Sequence, residues 1–332
     1  MPPIPFAPPV VRLGLFAAAL ASSFVVAPAS AETPLSRSAL DTTVFGAINQ
    51  YTPPVYDILP NSYPCWSPIA TPYQPLSDKV GSVPLPCYFT PSAGTDGEAV
   101  VVDKIHGTLR VFEGWNLAFK NQWTMQWGGY EPETAFDKTP WGWVWPVSAA
   151  HYGVQASGFA FLPGLITVMD LALGKIDHAI HVTVPRACDT WVPPATRTDG
   201  NAAPTGTENC HQYGTAYKLP DSFTIPAHWP RVVKMIATAA RDHGLVITDQ
   251  NLYGVGFRFE NYQRPWAWWS PDGSVVDPYR DPAYANLNFF ECPTATSWSC
   301  FPDRNHLFQS LFEVEAPNTR NFWDALVQVN PE

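Results

Sequence analysis

The sequence predicts a mainly β protein, a jelly-roll-like two-sheet β-sandwich with two or three short helices. Three observations point to it. Short apolar runs alternate with polar residues at a period of two and end at Gly or Pro turns, as half-buried strands do. Only a few short stretches carry apolar residues at helical spacing. Proline supplies 36 of the 332 residues, which interrupts any long helix. Many strands with few helices pack as two facing sheets.

Residues 1–31 read as a signal peptide. Arg12 forms the positive n-region, Leu13 to Val26 the apolar stretch, and Ala29-Ser30-Ala31 a small-x-small cleavage site. A retained anchor is the alternative. No later run is long and apolar enough to span a bilayer. The expectation is a secreted or periplasmic protein, with no membrane insertion after signal removal.

Residues 32–95 are rich in Pro, Ser and Tyr. Such a stretch forms no long helix or central strand and reads as an extended arm over the domain surface. The rest, 96–332, reads as a single β-sandwich domain with an irregular C-terminal segment; a cut near 210–225 into two domains is the weaker alternative. Six cysteines suit an oxidising compartment. Proximity in sequence pairs Cys65 with Cys87, Cys188 with Cys210 and Cys292 with Cys300, each loop contributing about 2–3 kcal/mol. The cysteines are scattered without a CxxC pair, so no metal is expected.

From Glu98 the chain becomes periodic. EAVVVDKIHGTLRVFEGW reads as two strands around His106-Gly107. A two-residue turn sets Asp103 opposite Arg110. A three-residue turn sets Asp103 on one face with Leu109, Val111 and Glu113. Strand-like pieces follow around Trp123 to Trp127. Trp141, Trp143 and Trp145 share one side if extended, either as a sugar platform or as a core strand. A helix over Val168 to Leu173 starts after Thr167, with Asp170 completing a capping-box pattern.

The run Ile176 to Val184 reads as a strand with Ile176, His178, Ile180, Val182 and Val184 on one face, and Asp177, Ala179, His181 and Thr183 on the other. Arg197 and Asp199 follow in a Thr-Asp-Gly loop, which is ordinary turn chemistry or a ligand loop. A second helix starts at Pro230, with Val232, Val233, Ile236, Ala239 and Ala240 as its apolar stripe, and ends at Gly244. Leu245 to Asp249 reads as a buried strand and Tyr253 to Phe259 as a half-buried one. Residues 264–332 lose periodicity apart from a helix-like stretch near Phe322 to Val327.

The formal net charge of −10 argues against nucleic acid. Charged residues make up only 14% and aromatic residues also 14% of the chain. That balance suits either a neutral polysaccharide partner, on whose faces rings stack, or an aromatic core. A GxSxG elbow, HExxH, a P-loop, GxGxxG and CxxCH are all absent, and no cofactor is expected.

Glycoside cleavage needs two carboxylates. Asp103, Glu113, Asp177, Asp249 and Glu260 are strand-borne candidates, with Glu131 and Glu133 in a loop; singly, each reads equally as a salt bridge or turn cap. A lyase would use His or Tyr as base with Arg neutralising a uronate, which suits His178, Arg197, His151 and Tyr152; His178 also suits a core position. His181 with Asp177 would be a weak metal pair.

The segments GFAFLPGLI, GKIDHAIHVTVP, PATRTDG and ARDHGLVITDQ, in that order, resemble a family of exported bacterial β-rich proteins. Its marks are a Pro-Gly-Leu turn, an Ile-x-His-Ala strand, an Ala-Thr-Arg-x-Asp-Gly loop, and a helix closing on Tyr-Gly before a strand ending in Asp. The resemblance spans about 95 to 260 and departs at His243, where the family has Tyr. It implies export and one shared β-domain, and no particular reaction. Asp103, Glu113, His178, Arg197 and Asp249 fall at matching positions.

The expectation from these features is a secreted carbohydrate-active enzyme, a monomer. It would be a glycoside hydrolase using a carboxylate pair among Asp103, Glu113, Asp177 and Asp249, with His178 nearby. Arg197, Asp199, Trp127, Trp141, Trp143 and Trp145 would bind a polysaccharide. A polysaccharide lyase and a non-catalytic glycan- or cell-wall-binding protein are the alternatives.

Overall fold

The structure, a computed structural model, describes residues 44–47, 51–60, 63–72, 80–105, 107–144, 154–202, 210–251, 254–261 and 321–329. The signal segment, His106, Trp145, His151, Tyr152, Tyr253 and the Cys292–Cys300 pair lie outside the described residues.

The protein is mainly β, with several sheets and few short helices. The first half carries β1 (Val44–Ala47), β2 (Val55–Ile58), β3 (Cys65–Ala70), β4 (Ser82–Leu85), β5 (Ala99–Asp103) and β6 (Arg110–Trp115). It continues with β7 (Ala118–Phe119), β8 (Trp123–Thr124), β9 (Trp127–Pro132), β10 (Asp137–Thr139) and β11 (Gly142–Val144). After α1 (Val168–Leu173) come β12 (Ile180–Val184), β13 (Ala187–Trp191), β14 (His211–Tyr213) and β15 (Ala216–Lys218). Then follow α2 (Arg231–Asp242), β16 (Leu245–Gln250), β17 (Val255–Arg258), α3 (Phe322–Ala325) and β18 (Val327–Val329).

The hairpin β5–β6 is the centre of a four-stranded sheet in the order β2-β5-β6-β9. Alternation gives it two apolar faces. Val101, Phe112 and Tyr130 pack against Ile69, Val83 and Leu85 of a second sheet, ordered β4-β3-β8-β7. Val100, Val102 and Val111 pack against Phe136, Phe161 and Leu165 on the other side. Face-to-face packing of this kind makes the arrangement sandwich-like.

The largest sheet runs β1-β17-β12-β16-β15-β18 and shares a core with α2. Its middle strand β12 is buried along its whole length, as expected where both faces are covered. Some neighbours run parallel, among them β1 with β17 and β12 with β16. Alternation within single strands carries no information about that choice.

Residues 32–95 do more than wrap the surface. β1 joins β17, β2 runs parallel beside β5, and β3 pairs with β4. The prolines are accommodated because Pro84 lies on the edge strand β4 and β8 contacts β3 only at Ile69 and Ala70, beyond Pro68. The pairings Cys65–Cys87 and Cys188–Cys210 are present as disulfides.

The helix signals hold. The Thr167 hydroxyl accepts the Asp170 N–H while Asp170 accepts the Thr167 N–H, and Gly174 closes α1 at a φ of 72°. The strand expected from Ile176 begins only at Ile180. His178 is the reason: its ring nitrogens face the Ala179 carbonyl at 2.9 Å and Asp170 Oδ2 at 3.3 Å, which ties the preceding segment to α1.

Candidate functional site

Asp103 and Arg110 are opposite in register, yet no ion pair joins them; both converge on Tyr130 of β9. Asp103 Oδ2 accepts the Tyr130 hydroxyl and Oδ1 accepts the Ile105 N–H at 2.8 Å. Arg110 donates to the Tyr130 carbonyl at 3.0 Å and sits 4.2 Å over its ring. Burial, then Asp103, holds the Tyr130 phenol well above its ordinary range. Asp103 is 1% exposed and, through Tyr130, ties β5 to β9 across β6.

Glu113 shares a face of β6 with Val111 and is fully buried. Its two carboxylate oxygens accept the Phe161 and Leu162 N–H groups at 3.0 and 3.1 Å. Burial pushes it up to about 7, against those two bonds. Behind it, Glu98 is pushed up to about 8 by burial, against the lowering effect of Arg258. Sequence patterning overlooked Glu98 because it stands just before its strand. Glu260 is also buried and accepts the Val168 N–H at 3.1 Å. Glu131 lies within β9, not in a loop, and Glu133 pairs with Lys138 at 3.4 Å.

Asp177 is on the surface, paired with Lys175 at 2.9 Å and His243 at 3.1 Å. The Lys175 hydrogen bond is the main reason its carboxyl lies below the ordinary range. His178, whose two nitrogens both face acceptors, is raised above 6.5: burial lowers it, and Asp170 more than offsets that. The core histidine is instead His181. Its Nδ1 faces Gln155 Nε2 at 2.7 Å, and its Nε2 faces the Trp141 carbonyl at 2.9 Å. An amide nitrogen can only donate, so Nδ1 is the acceptor and Nε2 carries the proton. Burial lowers His181 to about 3. A Cβ on Gly164 would overlap this ring, and one on Gly142 would come within 2.7 Å of Nε2. The Pro-Gly turn is thus shaped by close approach to the imidazole.

One polar cluster does bring several expected residues together. The chain leaves β13, loops through Arg197–Gly200 and returns beside it. The Thr198 hydroxyl donates to the Cys188 carbonyl at 2.8 Å, and the Asp189 N–H donates to the Ala202 carbonyl at 2.8 Å. A Cβ on Gly200 would overlap the Cys188 carbonyl oxygen, which explains the glycine of Thr-Asp-Gly. Arg197 reaches inward, donating to the Ala156 and Gln155 carbonyls at 3.2 and 2.9 Å. Its guanidinium lies 5.0 Å from the Trp127 ring centre.

Asp199 stays exposed and accepts the Tyr213 hydroxyl at 2.8 Å. Asp249, from β16, accepts a bond from Arg258 at 2.9 Å. Burial lowers Arg197 to about 10, against the raising effect of Asp249 and Asp199. Burial raises Asp249, with Arg258 opposing and Asp199 adding to the rise. Arg197, Asp199 and Asp249 are therefore electrostatic neighbours although they are up to fifty-two positions apart in the chain.

Of the expected platform, the two described tryptophans, Trp141 and Trp143, form no open face. Trp141 is buried in the core. Trp143 is partly buried, with its ring 5.4 Å from Phe136 and 5.1 Å from the Lys138 ammonium. β11 is held from both sides, by β10 and by a bridge from Val144 to Phe159. Exposed rings lie elsewhere, among them Tyr63 at 97%, Trp66 at 50% and Trp191 at 45%. Trp191 ends β13, just before the Arg197 loop. Nothing in its local pattern distinguished it from a core tryptophan.

Among the described residues, no three His, Cys, Asp or Glu side chains are grouped to hold a metal ion, and no helix is long and apolar enough to cross a membrane. No protein-family model matches the chain, and comparison with curated proteins and with solved structures finds no match either.

Proposed function

We propose that this protein is an exported, carbohydrate-binding β protein whose ligand face is the Arg197–Asp199 loop with Trp191 and Trp127. The observation that carries this reading is the loop itself: a partly buried arginine set over an indole, beside an exposed carboxylate. Sugars present hydroxyls at their edges and C–H groups on their faces, and they are held by this mixture of charged donors, acceptors and rings. Asp103, Glu113 and Asp177 have other work: they hold strands, a turn and a surface ion pair. The two disulfides and the leader-like residues 1–31 support export, in keeping with the exported family that the sequence resembles.

A second reading, glycoside hydrolysis, is favoured by one observation. Asp249 is raised by burial and by the neighbouring charge of Asp199, and carboxylates in unlike environments divide into acid and base. The Arg258 ion pair opposes it by favouring the ionised form of Asp249, although burial outweighs that effect.

The test is a polysaccharide panel with the mature, disulfide-bonded chain, scored for binding and for new reducing ends. Arg197→Ala and Trp191→Ala should each weaken binding by roughly 5- to 100-fold, about 1–3 kcal/mol. New reducing ends abolished by Asp249→Asn would establish the hydrolase. No binding to any polysaccharide would overturn both readings.

A further inference from the structure

A pocket of about 250 Å³ lies at the C-terminal end of α1, between the segment after α1 and the flank of α2. Its lining includes Lys175, Ile176, Arg231, Lys234, Met235 and Thr238. The last four share one face of α2 by their spacing. Gly174 makes room here, because a Cβ on it would come within 2.7 Å of the Arg231 guanidinium.

The charge of this lining stands out in a chain of net charge −10. Three cations line the pocket and no carboxylate does. Lys175 is offset by Asp177 at 2.9 Å. Arg231 and Lys234 meet only neutral acceptors among the described residues: the Leu171 carbonyl at 3.3 Å and the Ala227 carbonyl at 3.1 Å. Both are partly buried, so their charges are less screened than those of free surface lysines. Ile176 and Met235 supply an apolar wall. The Thr238 hydroxyl already donates to the Lys234 carbonyl at 2.8 Å, which leaves its lone pairs to accept from a ligand hydroxyl.

We propose that this pocket is an oxyanion site for a small hydroxylated ligand bearing a carboxylate or a phosphate. The anionic group would lie between Arg231 and Lys234, and the ligand body against Ile176 and Met235. The volume is below the range of about 300–1,000 Å³ typical of drug-sized ligands, which fits one sugar acid or one phosphate group. The site is separate from the Arg197 loop and does not depend on it.

The experiment is calorimetric titration of the mature, disulfide-bonded chain at low ionic strength with glucuronate, with inorganic phosphate and with glucose. Saturable binding of an anion, with none of glucose, is expected. Tighter glucuronate binding assigns a sugar acid; tighter phosphate binding assigns a phosphate. Lys234→Gln should weaken binding roughly tenfold, equivalent to about 1.4 kcal/mol, without moving the unfolding midpoint. Arg231→Gln should weaken it further, and its unfolding midpoint is followed in parallel because of the bond to Leu171. Arg197→Ala should leave anion binding unchanged, which separates this proposal from the glycan face. Absence of saturable binding by either anion, equal binding of glucose, or undiminished binding in Lys234→Gln would overturn it.

Discussion

Glu113→Gln isolates what a buried acid contributes to this fold. The carboxylate is fully buried and accepts the Phe161 and Leu162 N–H groups, joining β6 to the Pro-Gly turn. Burial raises its pKa from 4.5 to about 7. An acid raised in this way contributes stability that is complete below the unfolded value and lost as pH rises through the folded one. The interval from 4.5 to about 7 corresponds to roughly 3 kcal/mol. Glutamine does not titrate, so between about pH 4 and pH 9 the unfolding free energies of parent and variant should converge, or cross, by about 3 kcal/mol in the variant's favour. Its amide also turns an NH2 towards one backbone donor, a pH-independent cost of about 1–3 kcal/mol. Glu98 titrates in both proteins; Glu113 is the smallest of the charges that raise it, so all but that contribution cancels from the difference. Urea unfolding at both pH values, with disulfides intact, reads the two effects separately. Glu113→Leu, which leaves both N–H groups without an acceptor, should cost about 2–6 kcal/mol. A parent–variant difference that stays constant with pH would refute the assignment of a raised, buried carboxyl.

Three further outcomes are expected. Gly164→Ala should destabilise by about 1–3 kcal/mol or more, because its methyl overlaps the His181 ring; thermal unfolding with an unchanged midpoint would contradict that packing. His181, lowered to about 3, contributes stability that is present above pH 6.5 and lost as pH falls towards 3. In NMR its imidazole should stay neutral at about pH 5, while His178 keeps its proton above 6.5; an ordinary midpoint for His181 would sink this. Replacing Cys188 and Cys210 by serine frees a loop with a sequence separation of 22, which should lower stability by roughly 3 kcal/mol in urea; an unchanged urea midpoint would show that the loop is held by other contacts.

Local signals were legible where one stretch contains its own physics. The α1 capping box, the stripe of α2 and two disulfide pairings needed only near neighbours in sequence. The hairpin register, Asp103 opposite Arg110, was one of two options read from the turn. The two charges do not pair directly, because a third strand brings Tyr130 to both of them. His178 takes no face of β12, because the strand begins two residues after it, and the deeply buried imidazole is His181. The tryptophans were the hardest to place. Trp141 and Trp191 are equally aromatic, yet one is buried in the core and the other is 45% exposed.

The cluster that now carries the functional reading shows where the division lies. By itself the sequence determined a mainly β chain, its helix ends, the Cys65–Cys87 and Cys188–Cys210 pairings and a Thr-Asp-Gly loop bearing Arg197 and Asp199, all set by backbone preferences and short-range spacing. Only the tertiary structure brought Trp127, Asp249 and Arg258 to that loop, and only it buried Glu113 while leaving Asp199 exposed. Proximity across strands depends on which edges pair and in which direction. Those pairings are chosen by the burial of whole faces, a property that no single segment contains.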